Sequence, residues 1–255
     1  KCKYVSVKLD DNGFTSQVAF IDENGRLRRN GDNAFMQCFK KYENGLAEYT
    51  YSGDALGNPM IDSWGNCGWH HTYFANGKVK TQSCVDASFN PMRMPRKRNT
   101  TDVYNIKYKY DKWGNLIEGR YYNDKWEPDT ATGGTHCYRL TYKNGLKTSY
   151  AAYGLNGKLV NYDDDIAMWV NEFDRNGNLL MSKNLNKDSL FSSHENCLTI
   201  RKYRNEKCLL SLNYRSTNGK DTILTLKRFS HAGGDSVYAY KEGYINIYNY
   251  NLKGN

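Results

Sequence analysis

Proline and long apolar stretches are scarce in this chain, which holds only 4 prolines among 255 residues. No run approaches the ~20 apolar residues that a membrane-spanning helix needs. Residues 1–30 also lack the basic-then-apolar pattern of a secretion signal. A mature form starting at Lys1 would already have lost such a signal, so its absence excludes no compartment.

The motifs of familiar chemistry are missing as well. Seven cysteines, Cys2, Cys38, Cys67, Cys84, Cys137, Cys197 and Cys208, form no CxxC pair, which argues against a zinc ribbon or a thioredoxin-like site. Scattered on strands, they read as small core hydrophobes, with one or two disulfides as the alternative in an exported protein. His70, His71, His136, His194 and His231 make no HExxH spacing. Adjacent His70 and His71 on a strand point to opposite faces and do not share a metal.

Asp163-Asp164-Asp165 lacks the alternating acids, turn glycine and terminal Glu of a calcium loop, and reads as a solvated acidic loop. There is no GxSxG, no phosphate-binding glycine loop and no evident Cys/His dyad. The 27 acidic residues are spread without the context that would single out a glycosidase pair. No metal or cofactor is expected, and nothing in the sequence argues for an enzyme.

What the chain has in excess is 22 Tyr and 22 Gly, with a net charge of +9. Tyrosine joins a large apolar ring to a polar tip and suits sheets whose faces are partly wet. Most of the 36 lysines and arginines fall singly on the polar sides of strands, so nucleic acid is not the favoured partner.

The segment Asp102–Asn123, DVYNIKYKYDKWGNLIEGRYYN, shows the governing pattern. Tyr104, Ile106, Tyr108 and Tyr110 alternate with polar residues, then Trp113-Gly114-Asn115 marks a turn and a second strand follows. Gly supplies the positive φ of a tight hairpin turn. Similar turns begin at positions 12, 44, 76, 113, 144, 176, 206 and 242, at intervals of 32, 32, 37, 31, 32, 30 and 36. A second turn follows twelve residues later at Asn24, Leu56-Gly57, Asn156 and Asn218, and is degenerate at Lys125 and Asp188. The long third and last intervals coincide with NPMRMPRKRNTT and RFSHAGGDS, both read as loops. The best helix candidate, Asp163–Trp169, collides with the repeat register, which puts Met168–Phe173 on a strand.

These spacings predict an all-β fold of about eight tandem antiparallel hairpins, forming a twisted repeat sheet or solenoid. Residues 1–255 are expected to be a single repeat domain with a basic inserted loop near 90–102. Units such as YDKWGNLIEGRYYN and FDRNGNLLMSKNLN resemble the bacterial tandem β-hairpin repeats with a YDxxGNL-like core, akin to YD, WG and MORN-type repeats. The resemblance implies a non-catalytic scaffold, extracellular, on the cell surface or periplasmic, that recognises a protein or a glycan. A carbohydrate-active enzyme or accessory sugar-binding module, and a structural spacer, are the alternatives. The candidate ligand contacts are Trp113, Trp69, Trp64 and Trp126, whose indoles could stack on a sugar or anchor a partner. The basic cluster Arg96, Lys97 and Arg98 joins them as a dock for acidic groups.

Overall fold

The structure is a computed structural model that describes residues 4–94, 102–163, 165–193, 196–204, 207–231, 234–241 and 244–251. Its regular structure is strand throughout, apart from one short 3-10 turn at Thr132–Gly134. Residue contacts group the chain into two compact units, Lys1–Thr132 and Gly133–Asn255.

The first unit carries β1 (Tyr4–Leu9), β2 (Thr15–Ile21), β3 (Met36–Lys41), β4 (Ala47–Gly53), β5 (Gly68–Tyr73), β6 (Val79–Val85), β7 (Asn105–Tyr110) and β8 (Leu116–Tyr122). The second carries β9 (Cys137–Lys143), β10 (Leu146–Tyr153), β11 (Met168–Phe173), β12 (Leu179–Leu185), β13 (Leu198–Arg204), β14 (Lys207–Arg215), β15 (Ile223–His231), β16 (Gly234–Lys241) and β17 (Tyr244–Asn251). Within each unit the paired registers join consecutive strands, all antiparallel. The all-β class and the tandem hairpins are as the spacing predicts, and Met168–Phe173 is a strand.

The two kinds of ladder differ in length. Inside a hairpin the pairing is long, as in the six pairs from Tyr4↔Ile21 to Leu9↔Thr15. Between hairpins it is short, as in the three pairs Gln17↔Cys38, Val18↔Gln37 and Ala19↔Met36. A bulge just before the turn recurs at Lys40/Lys41, Thr72/Tyr73 and Lys109/Tyr110, bending each hairpin at one place.

The hairpin turns are wider than two residues, and an aspartate organises them. At Asp111 the main-chain N–H donates to the Asn115 carbonyl at 2.9 Å, and the Gly114 N–H donates to the Asp111 carbonyl at 3.1 Å. The Trp113 and Asn115 N–H groups both donate to Asp111 Oδ1 at 2.9 Å, and Asn115 Nδ2 donates to Oδ2 at 2.9 Å. The same bracket, one side-chain oxygen receiving the N–H groups two and four residues on, is built by Asp10, Asp22, Asp54, Asp86 and Asp174. Asn30, Asn123 and Asn186 build it with an amide oxygen. Where Tyr42, Phe74 or Gly154 takes the first position, the turn asparagine substitutes: Asn44, Asn76 and Asn156 each accept the N–H two residues ahead.

Six of the second turns lead to a single bridge between residues six apart: Ile21↔Leu27, Gly53↔Pro59, Val85↔Pro91, Tyr122↔Pro128, Tyr153↔Leu159 and Leu185↔Phe191; the turn at Asn218 runs straight into the β14–β15 ladder instead. Three of the 4 prolines thus share one repeat position. A lone bridge asks for few backbone donors, which is what proline lacks.

One expected loop is a strand. RFSHAGGDS was expected to join hairpins, but Ile223–His231 is β15 and Gly234–Lys241 is β16, in register from Leu226↔Ala239 to His231↔Gly234. The alternation of ILTLKRF continues through the segment, and the outer edge of β14 gains a partner from Leu210↔Phe229 to Arg215↔Ile223. The stretch near Asp163 forms no helix among its described residues; Asp163 bridges Ile166 and the chain runs into β11.

The core is thin and made of small residues, with Cys38, Cys67, Cys84, Val103, Ala152, Ala167 and Cys197 each at 0% exposure. Cys38, Cys67, Cys84 and Cys197 are buried free thiols and Cys208 a half-buried one. Burial pushes the Cys67 thiol up to about 11 and that of Cys84 up to about 12, so both stay protonated and unreactive. Gly68 opens β5 where β4 passes closest. A Cβ there would overlap the Thr50 carbonyl oxygen and lie 2.6 Å from Tyr51 Cα.

Two expectations follow. Gly68→Ala must displace backbone rather than a side-chain tip, and is expected to cost about 2 kcal/mol in urea unfolding. The bracketing aspartates set the acid limb of stability. At Asp22, Asp54 and Asp86 the hydrogen bond from the fourth residue's N–H leads in holding the carboxyl below its ordinary 3.8; at Asp174 the Asn178 amide leads. A depressed folded pKa contributes stability above the unfolded value and loses it as pH falls through the folded one. Melting followed by circular dichroism should therefore drop steeply below a pH of 3.8. Asp54→Asn, which places at that turn the residue found at Asn123, should keep the fold at neutral pH and make this drop shallower.

Candidate functional site

The third turns of the first two repeats flank a polar recess in the first unit. Asn30 caps one such turn through the Asp32 and Ala34 N–H groups, and Asp62 caps the next through the Trp64 N–H at 2.8 Å. The two turns lie one period apart in sequence and are stapled together. Trp64 Nε1 donates to Asp32 Oδ1 at 2.7 Å, and the Ser63 N–H donates to the Asp32 carbonyl at 2.8 Å. Beside them is an open recess of about 190 Å³ whose lining includes Asp32, Asp62, Asn66, Gln37, Tyr51 and Trp69. That is below the ~300–1,000 Å³ of pockets that bury drug-sized ligands, and suits a single ring or one side chain.

Both carboxylates in the recess are already engaged. Asp32 Oδ2 accepts from Asn30 Nδ2 at 3.3 Å, and Asp62 Oδ2 accepts from the Ser52 hydroxyl at 3.3 Å. Burial raises the Asp62 pKa above its usual value, and the neighbouring Asp32 charge adds to the rise. Burial also lifts the Tyr51 phenol to about 12, so it remains a neutral donor. With all four carboxylate oxygens hydrogen-bonded, the pair is built to hold shape and present acceptors. Trp69, on β5 opposite Thr50 and Cys84, is among the residues that line the same recess.

The other candidate residues stand in different settings. Trp113 is 76% exposed at its turn tip, with Lys112 Nζ 4.5 Å from the ring centroid, and it does not line the recess. Trp126 has φ +64° in a place where other repeats carry glycine, and its ring lies 6.0 Å from Tyr122 with Lys107 Nζ 5.1 Å away. Phe89 repeats the device at φ +63°, packing 4.8 Å from Tyr49 and 3.7 Å from Lys40 Nζ. These two rings cover strands, and their packing offsets the roughly 1–2 kcal/mol cost of a left-handed backbone.

Arg96, Lys97 and Arg98 lie outside the described residues. Their neighbour Arg93 is tied down, pairing with Asp129 at 3.2 Å and Asp102 at 3.7 Å. His71 meets Thr50 Oγ1 at 3.0 Å and is pushed down to about 4 by burial, while His70 lies 4.0 Å from Glu48. Among the described residues no group of three or more His, Cys, Asp or Glu side chains is arranged to hold a metal ion.

Asp32, Asp62 and Asn66 were not singled out by sequence. Their signal was available in the first two repeats: Asp10, Asp22 and Asn30, then Tyr42, Asp54 and Asp62, place a turn-opening residue at steps of 12, 8, 12, 12 and 8.

No family model and no curated protein matches the chain. Among solved structures it is similar to the Photorhabdus luminescens Tc holotoxin pore, at 12% identity and a TM-score of 0.32, covering 98% of this chain and 14% of that one. It is also similar to the TcdB2–TccC3 structure, at 13% identity and a TM-score of 0.22, covering 99% of this chain and 17% of that one. The chain thus spans less than a fifth of the length of either. Scores this low do not establish a common fold.

The staple gives a clear contrast between tryptophans. Trp64→Phe keeps the ring and removes the bond to Asp32, and should cost about 1 kcal/mol in urea unfolding. Trp113→Ala should stay within about 0.5 kcal/mol of the parent.

Proposed function

We propose that the chain is a non-catalytic hairpin-repeat scaffold, bacterial and secreted or displayed at the cell surface, that recognises a glycan. The recess between consecutive third turns carries this reading. Its lining brings Trp69 together with the engaged acceptors of Asp32 and Asp62 and the amides of Asn66 and Gln37. A flat apolar face next to planar polar groups matches a sugar ring, which has apolar C–H faces and an equatorial rim of hydroxyls. The engaged state of both carboxylates weighs against their acting as an acid and a base. The extracellular setting is drawn from the YD-type repeat pattern.

Trp113 supports a second reading, in which a protein docks on the turn tips. At 76% exposure on a turn whose backbone Asp111 brackets, it is an accessible aromatic of the kind that anchors interfaces.

A glycan-array screen of the parent, Trp69→Ala and Trp113→Ala separates the two. Binding reduced about tenfold or more by Trp69→Ala and unchanged by Trp113→Ala is expected. Loss only in Trp113→Ala would move the site to the turn tips. A parent that binds no glycan would end the sugar reading.

A further inference from the structure

An Asn-Gly pair sets a potential nucleophile beside an amide, and the turns of this chain differ in how far they let the two react. The glycine nitrogen, unshielded by a Cβ, can attack the Cγ of the asparagine before it once it has lost its proton. At Asn12, Asn24 and Asn176 that nitrogen is engaged: the N–H groups of Gly13, Gly25 and Gly177 donate to the carbonyls of Asp10, Asp22 and Asp174 at 3.0, 3.1 and 3.1 Å. Gly45, Gly77 and Gly157 are held in the same way by the carbonyls of Tyr42, Phe74 and Gly154. Asn218 Oδ1 accepts the N–H groups of Lys220 and Asp221, but the Gly219 N–H donates to Ser216 Oγ at 3.0 Å.

Asn30-Gly31 joins an unengaged nitrogen to a polarised amide. Gly31 is exposed, and among the described residues no group accepts its N–H. Asn30 Oδ1 accepts the Asp32 N–H at 2.9 Å and the Ala34 N–H at 3.0 Å, while Nδ2 donates to Asp32 Oδ2 at 3.3 Å. These partners fix which end of the amide is oxygen, and aim two donors at the atom where negative charge develops when Cγ is attacked. The other pairs and brackets lack one half of this arrangement. Asn144-Gly145 is exposed, but among the described residues no donor meets the Asn144 amide oxygen. Asn123 and Asn186 have the two donors, yet Asp124 and Lys187 follow them, whose side chains crowd the nitrogen, and the Lys187 N–H is taken by Asn161 Oδ1 at 2.8 Å.

We propose that Asn30 is a self-modifying site: the Gly31 nitrogen bonds to Asn30 Cγ, the Cγ–Nδ2 bond breaks, and ammonia leaves with the proton that Gly31 gave up. Water then opens the resulting succinimide ring at either carbonyl, leaving an aspartyl or an isoaspartyl residue at position 30. Water is the sole co-reactant. The product alters the recess, which Asn30 lines together with Asp32 and Asp62. A third carboxylate replaces the amide donor that Asp32 Oδ2 holds, and sets like charges side by side. The aspartyl form can keep the turn, since Asp62 caps its own turn from the same repeat position. The isoaspartyl form adds a methylene to the backbone and breaks the spacing to the Asp32 and Ala34 N–H groups. The assignment holds whatever ligand the recess takes.

The test ages the folded full chain in mildly alkaline buffer and follows, by mass spectrometry, the peptide 9–40 released by a lysine-specific protease, which holds Asn12, Asn24 and Asn30 together. Fragment masses should show the amide-to-acid change at Asn30 about tenfold or more faster than at Asn12 and Asn24. In urea the three should react at similar rates, because each is then a plain Asn-Gly pair. A Cβ at Gly31 meets nothing within 4 Å, so Gly31→Ala should fold, shield the nitrogen and slow the change at Asn30 about tenfold or more. Equal rates at the three asparagines in the folded chain would overturn the proposal. So would a lead for Asn30 that persists unchanged in urea, or a folded Gly31→Ala that reacts as fast as the parent. Should Gly31→Ala not fold by circular dichroism, the comparison of folded and urea-unfolded parent decides by itself.

Discussion

A single side-chain oxygen receiving two backbone N–H groups is the interaction on which the array depends. Reversing a chain within five residues leaves amides pointing inward with no strand to receive them, and an unsatisfied amide is expensive. Asp10, Asp54, Asp111 and their counterparts meet this demand locally, inside each turn. A turn that closes on its own side chain needs little from its neighbours. That independence lets hairpins vary in sequence while keeping a period near 32 residues.

Periodic folding also sets what each position can carry. The third position after the bracketing residue requires φ > 0, and Gly25, Gly57 and Gly157 meet it at no steric cost. Phe89 and Trp126 accept strain there and return it as packing on Tyr49 and Tyr122. At Asp32 and Trp64 the same repeat position holds an acceptor in one copy and a donor in the next, so the link between copies comes from their difference. The recess sits beside that link.

Much of the fold was legible because turn chemistry is local. Asn-Gly and Trp-Gly steps placed the hairpins, and the twelve-residue spacing located the second turns, including those at Asn123 and Asn186 whose glycine is replaced. The third turn was hidden because Asn33 takes the positive φ at Asn30–Ala34, while Gly31 sits two places earlier than the glycine that marks the other turns. β15 was hidden by Gly233-Gly234, which suggests a loop until the pairing of β14 is known. The site was harder to see. The exposure of Trp113 follows from its turn position, but the bond from Trp64 to Asp32 spans a full period and involves residues unremarkable within their own copy. Cover by Trp126 and exposure of Trp113 look alike in sequence, since both residues occupy turns.

The unequal ladders have a mechanical corollary. Three pairs hold one hairpin to the next, as at Tyr49↔His70, Thr50↔Trp69 and Tyr51↔Gly68, while six pairs close the hairpin from Gly68↔Val85 to Tyr73↔Val79. Under tension the first unit would part at its seams, releasing one hairpin at a time. Each parting frees the connection between two hairpins, such as residues 54–67 between β4 and β5, about 50 Å when extended, while the hairpins themselves stay closed. The last strands of the second unit have no such weak seam, since β14, β15, β16 and β17 are joined by ladders of six, six and eight pairs. The chain therefore combines a stretch that yields in steps with one that resists as a block.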